Sequence, residues 1–282
     1  MKKSIFFFSL LIAIGSCNSV KVPTTLGDSS NASSFGYHPV DPLPVWVENL
    51  GNKTIDYSTL LGAMPDETIR LAIAEVTNEG VLNFGTSSIG MAHHNYVVIL
   101  DYIKYSTDFF RVEYDQGGSG EFSILRRYKK SDVENSYEPN IPLGDDDSIV
   151  DEGDAVVPVY VGVGLRLTAS ITVNKNGVDL GNLFAIGAQA SSNKIAGTLT
   201  VQTLGISGDN ISSIIPMPSE INPTTIQNAI LAMGTIKAKL YDDQTVITPR
   251  VVGVYNYLGG SSKTINKFVS AMLIERPKLM VY

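Results

Sequence analysis

Three histidines, one cysteine and a few clustered acids hold most of the chemistry open to this 282-residue chain. His93 and His94 are adjacent, and His38 lies far upstream. Neighbouring residues on a strand point to opposite faces, so a metal could use both imidazoles only from a loop. No cysteine or spaced Asp/Glu-x-x-His accompanies them. Ser88, within Gly85-Thr86-Ser87-Ser88-Ile89-Gly90, combines with His93 or His94 and Asp101 into the residue types of a nucleophilic hydrolase. The spacing is not that of a Gly-x-Ser-x-Gly elbow, and only geometry turns such a set into a triad. Asp101 stands out for its company, because Val97, Ile99 and Ile103 share its strand face. A carboxylate placed there either titrates high and acts as an acid or pairs with a lysine or arginine.

Asp145, Asp146, Asp147, Asp151, Glu152 and Asp154 crowd six carboxylates into ten residues. Ca2+ takes such oxygen-rich loops, with Asp145, Asp147, Asp151 and Asp154 as the ligands it would use. The run lacks the Asp-x-Asp-x-Asp-Gly spacing of a helix-loop-helix site, so the expectation is a solvated acidic loop without a resident cofactor. Arg126, Arg127, Lys129 and Lys130 form a small basic cluster that could meet a phosphate-bearing headgroup or an acidic partner. Tyr160-Val161-Gly162-Val163-Gly164 contains Gly-x-Gly but no third glycine, and it lies inside a strand. A dinucleotide site needs the turn between strand and helix, so none is expected here.

The elements that must position these residues follow from periodicity. From Val157 to Val173 every odd position is apolar, which means a strand with one buried face. Its other face carries Tyr160, Arg166 and Thr168, with Gly162 and Gly164 marking a bulge or bend. Asn95–Tyr105 reads as a buried strand, and Phe109–Tyr114 and Glu121–Tyr128 as a hairpin. Pro65 to Glu79 reads as a helix, with Ile69, Ile73 and Val76 on one face and Gly80 as its stop. Further on come a short helix near 181–191, a strand 195–206, a helix capped by Asn222 with Pro223 in its first turn, a strand 246–258 and a helix 262–274. These predict an α+β or mixed α/β fold: a curved mixed sheet of long amphipathic strands, with helices packed on its apolar face.

The first residues give an address. Lys2 and Lys3 precede an apolar stretch, Ile5 to Ile14, too short for a bilayer core of about 30 Å. Ile14-Gly15-Ser16-Cys17 resembles the bacterial lipobox, in which the cysteine is acylated and becomes the mature N-terminus. The resemblance implies a lipoprotein signal peptide over 1–16 and a lipid anchor at Cys17. Asn18 in the next position implies outer-membrane rather than inner-membrane sorting. Since Cys17 is the sole cysteine, neither a disulfide nor a cysteine nucleophile is then available. Residues 17–41, rich in Ser, Thr, Asn, Gly and Pro, read as a tether. An N-terminal region 42–150 and a C-terminal region 151–282 follow, in one domain or two.

A hydrophobic content of 44%, a charged content of 17% and a mean hydropathy of +0.10 exclude wholesale disorder. The net charge of -7 excludes the basic footprint of a nucleic-acid binder. The expected function is a non-catalytic binding or assembly module tethered to the bacterial envelope. It would use a polar sheet face formed by Tyr160, Arg166, Thr168, Thr198, Thr200 and Gln202. The alternatives are an oligomerising subunit that inserts amphipathic strands into the membrane to form a pore or translocation path, and, more weakly, an envelope hydrolase.

Overall fold

The computed structural model describes residues 36–51, 54–84, 89–114, 122–128, 154–184, 194–256, 262–275 and 277–282. Two strands of 20 residues each form its spine, β6 (Asn95–Tyr114) and β8 (Asp154–Val173). They pair antiparallel without a shift in register, from Asn95 opposite Thr172 to Glu113 opposite Asp154. The period-two pattern explains the spine's two faces. Odd residues of β8 from Val157 to Val173 join Tyr96, Val98 and Tyr102 of β6 in the main core. Even residues of β8 and odd residues of β6 near the middle face the opposite way, so Arg166 stands directly across from Asp101.

Each spine strand has two successive neighbours on its outer side. Along β8, β14 (Arg250–Asn256) pairs with Val159 to Gly162, and β10 (Ile195–Leu204) takes over from Gly164 to Val173. The handover falls at the two glycines. A Cβ at Gly162 would lie 2.1 Å from the Lys104 carbonyl oxygen, and one at Gly164 2.1 Å from that of Tyr102. The β6–β8 register runs through both glycines without the expected bulge, and close backbone approach is what the glycines permit. Along β6, β3 (Asp66–Val76) pairs with Asn95 to Tyr105, and β7 (Phe122–Tyr128) with Phe109 to Tyr114. Adding β1 (Gly36–Pro44) on β14, β4 (Leu82–Phe84) on β3 and β12 (Ser219–Glu220) on β10 gives a nine-stranded antiparallel sheet.

The sheet curls until its two margins nearly meet. Tyr37 of β1 packs against the cluster of Ala72, Ala74, Phe84 and Ile99, which belong to β3, β4 and β6. No ladder joins β1 to β3 or β4. Pro39, Pro42 and Pro44 remove three backbone donors from β1, which suits a margin that packs without pairing. Three two-stranded ladders complete the β structure: β5 (Ile89–Gly90) with β9 (Val178–Asp179), β11 (Ile206–Ser207) with β13 (Val246–Ile247), and β2 (Trp46–Asn49) with β15 (Lys278–Val281). Only the last is parallel among the described residues.

The α+β or mixed α/β expectation is corrected by this barrel-like antiparallel sheet. Strand residues outnumber helical ones more than twofold among the described residues. The largest single reason is the segment read as a helix from Pro65 to Glu79, which is β3. Ile69 and Ile73 are four apart, a spacing that puts two residues on one face of a helix and equally on one face of a strand. Eleven consecutive register partners on β6 decide for the strand. The described helices are α1 (Tyr57–Gly62), α2 (Asp209–Ser212), α3 (Pro223–Lys239) and α4 (Ser262–Glu275), with a 3-10 turn at Gly181–Phe184. Asn222 caps α3 by accepting from the Thr225 N–H, while its own N–H donates to the Thr225 hydroxyl. Ile226, Ala229, Met233 and Ile236 of α3, and Ile265, Phe268 and Met272 of α4, are buried in the main core.

Residues 36–41, which composition assigns to a tether, form the first part of β1. The remaining tether residues and the signal segment, Cys17 included, lie outside the described residues. One sheet draws strands from both sides of the expected boundary near residue 150.

Candidate functional site

The second face of the spine, opposite the main core, holds a buried polar network at its centre. Asp101 is fully buried and Arg166 nearly so. The Arg166 Nε–H donates to Asp101 Oδ1 at 2.8 Å and Nη2 to Oδ2 at 2.7 Å, a bidentate pair. The rest of the guanidinium reaches backbone: Nη1 donates to the Val40 carbonyl at 2.8 Å and Nη2 to that of Val252 at 2.9 Å. The Tyr37 hydroxyl donates to Asp101 Oδ2. One ion pair thus fastens β1 and β14 across β6 and β8. Burial raises the Tyr37 phenol well above its ordinary pKa, and the Asp101 charge adds to this. For Arg166, burial pulls downward, but the hydrogen bond and charge of Asp101 outweigh it and raise the pKa. The guanidinium is thereby held firmly protonated.

His38 sits nearby, buried, its ring 4.3 Å from that of Phe84. Its Nδ1 has no hydrogen-bond partner. Burial, with a smaller contribution from the Arg166 charge, lowers its pKa to about 4, so the ring is neutral at pH 7. Sequence reasoning missed Tyr37 and left His38 in the tether, because Ser- and Pro-rich surroundings disguised β1 as linker. The one available signal was the aromatic Tyr37 among small polar residues.

Of the expected polar face, the structure brings together Thr168 on β8 and Thr198, Thr200 and Gln202 on β10. Thr200 stands opposite Thr168, and Gln202 opposite Arg166. Ser170 and Thr172 of β8 and Asn95 of β6 extend the same face, with Thr172 Oγ1 donating to Asn95 Oδ1 at 2.8 Å. Thr198, Gln202, Ser170, Thr172 and Asn95 are exposed, and Thr168 and Thr200 half-buried. Tyr160 and Arg166 do not belong to the open part. Tyr160 is buried against Tyr37 and Tyr105, and Arg166 is consumed by Asp101.

The remaining candidates are scattered. Asp101 is an ion-paired residue on the face covered by β1 and β14. Ser88 lies outside the described residues. His93 occupies a turn ahead of β6 with φ of 66°, and its N–H donates to the Val173 carbonyl at 2.7 Å. His94 contacts Glu75 through Nδ1 at 2.5 Å and stacks on Tyr96. The two imidazoles do not converge with a third ligand, and no group of three His, Cys, Asp or Glu is placed to hold a metal among the described residues. Asp145, Asp147 and Asp151 lie outside them, and Asp154 opens β8. Arg126 and Arg127 belong to β7, while Lys129 and Lys130 lie outside. Comparison with protein-family models, curated proteins and solved structures finds no match.

Proposed function

We propose that this chain is a lipid-anchored protein of the bacterial outer membrane whose folded part binds a ligand or partner without catalysis, through the open hydroxyl-rich face of β8 and β10. The observation that carries this reading is the array of Thr168, Ser170, Thr172, Thr198 and Thr200, flanked by Gln202 and Asn95. It rides on strands whose reverse side is the fully buried core, so its donors and acceptors are spaced by a rigid ladder and need little ordering on binding. The strand-inserting alternative has less support. β8 is buried on both faces around Tyr160 and Arg166, so exposing it to lipid would first require dismantling the ion-pair network.

Site-specific photocrosslinking in the native envelope tests the binding reading. A crosslinking side chain at Thr198 or Gln202 is expected to capture a partner or glycan, while one at Gln227, exposed on α3, is not. Equal labelling at all three positions, or none, refutes the face. Mass spectrometry of Cys17 tests the anchor separately.

A further inference from the structure

The parallel ladder of β2 and β15 turns Leu279 into the main core and also buries Val281. Alternation turns the other side outward. Trp46, Glu48 and Leu50 lie on one strand line, and Lys278, Met280 and Tyr282 on the other. Leu50 continues the ladder by donating its N–H to the Val281 carbonyl at 2.8 Å, which brings Leu50 and Tyr282 side by side. Trp46 is 53% exposed, Leu50 42% and Tyr282 38%. Between them Lys278 Nζ meets Glu48 Oε2 at 2.8 Å, so the two charges on this strip cancel.

We propose that this strip is where the folded part rests on a lipid surface, with Trp46 and Tyr282 in the headgroup layer and Leu50 and Met280 toward the acyl boundary. Three observations choose lipid over another occupant. Tryptophan and tyrosine, each an apolar ring with one polar tip, are the side chains that a membrane–water interface favours. The side-chain charges of Lys278 and Glu48 on the strip offset each other on a chain of net charge -7, so an anionic membrane would repel this face less than the chain as a whole. Eighteen residues separate Cys17 from Gly36, a length of about 20–65 Å between coil and full extension, which lets an anchored molecule lay this side down. An anchor at Cys17 belongs to the functional reading above, but docking of the strip is a separate event.

The test exploits two singularities of the chain, its one tryptophan and its one cysteine. The full chain is coupled through the Cys17 thiol to a maleimide lipid in phosphatidylcholine vesicles, or reconstituted directly if the native cysteine is already acylated. Emission from Trp46 is expected to shift to the blue and to lose intensity when the vesicles contain brominated lipid. Leu50→Asp and Tyr282→Asp, both at exposed positions, are expected to abolish the shift and the quenching while leaving thermal unfolding unchanged. Emission indifferent to brominated lipid overturns the proposal. So does a blue shift that grows with protein density but is not quenched, because the strip then meets a second copy. Finding native Cys17 unacylated would sink the anchor yet leave this measurement decisive, whereas an acylated Cys17 with unquenched Trp46 sinks docking alone.

Discussion

Replacing Arg166 by methionine isolates the buried ion pair. The Asp101 carboxylate would keep only the Tyr37 hydroxyl as donor, the Val40 carbonyl would lose its guanidinium donor, and the Val252 carbonyl would keep only the longer contact from the Tyr37 hydroxyl at 3.3 Å. Breaking a buried pair from one side costs about 3–5 kcal/mol, and the orphaned Val40 carbonyl about 1–3 kcal/mol. These overlap, so a net loss of at least about 4 kcal/mol is expected, a large share of the 5–15 kcal/mol that holds a typical domain together. Removing both charges, Asp101→Leu with Arg166→Met, leaves the Val40 carbonyl without its guanidinium donor and takes the Asp101 acceptor from the Tyr37 hydroxyl, but leaves no buried charge unpaired. The double variant should therefore be more stable than Arg166→Met alone, by roughly 1–3 kcal/mol. Urea unfolding at pH 7, followed by Trp46 fluorescence and circular dichroism, measures both effects. A single variant within about 1 kcal/mol of wild type, or a double variant less stable than the single, refutes the view that this pair fastens β1 and β14.

His38 predicts a separate acid sensitivity. Its folded pKa of about 4 lies below the 6.5 of an unfolded histidine, so its stabilising share is complete above pH 6.5 and is lost as pH falls toward 4, about 3 kcal/mol in all. His38→Leu should flatten that part of the stability profile, and an unchanged slope between pH 6.5 and 4 would rule the assignment out. Gly162→Ala drives a Cβ to 2.1 Å from the Lys104 carbonyl and should cost at least about 1–3 kcal/mol. Gly234→Ala, in α3 with nothing within 4 Å of the added atom, should stabilise by about 0.5–1 kcal/mol. Thermal melts of the two variants should move in opposite directions, and a shared direction contradicts the strand approach described at Gly162.

Much of the element list was legible, because local pattern was enough for it. Alternation over Val157–Val173 and the Asn222-Pro223 start of a helix both correspond to observed elements, β8 and α3. The same kind of reasoning failed at β3, where Ile69 and Ile73 fit either period and turn residues flank strands as readily as helices. It failed again at β1, where prolines that signal linker serve instead to keep a sheet margin unpaired. The polar face was half legible. Parity placed Thr168, Thr198, Thr200 and Gln202 together, but parity also put Tyr160 and Arg166 with them, and nothing local says which stretch of one face another strand will cover.

The residue order by itself determined the two-faced character of the long strands and the cap of α3. Those features depend on neighbours within a few positions. Only the tertiary structure decided that Asp101 meets Arg166, 65 positions away, and that Tyr37, Val40 and Val252 close around them. The physical reason is register. A strand shows which side chains share its face, but which residue of another strand stands opposite depends on the pairing of the whole sheet, and moving that pairing by two positions would leave the faces intact while separating the charges.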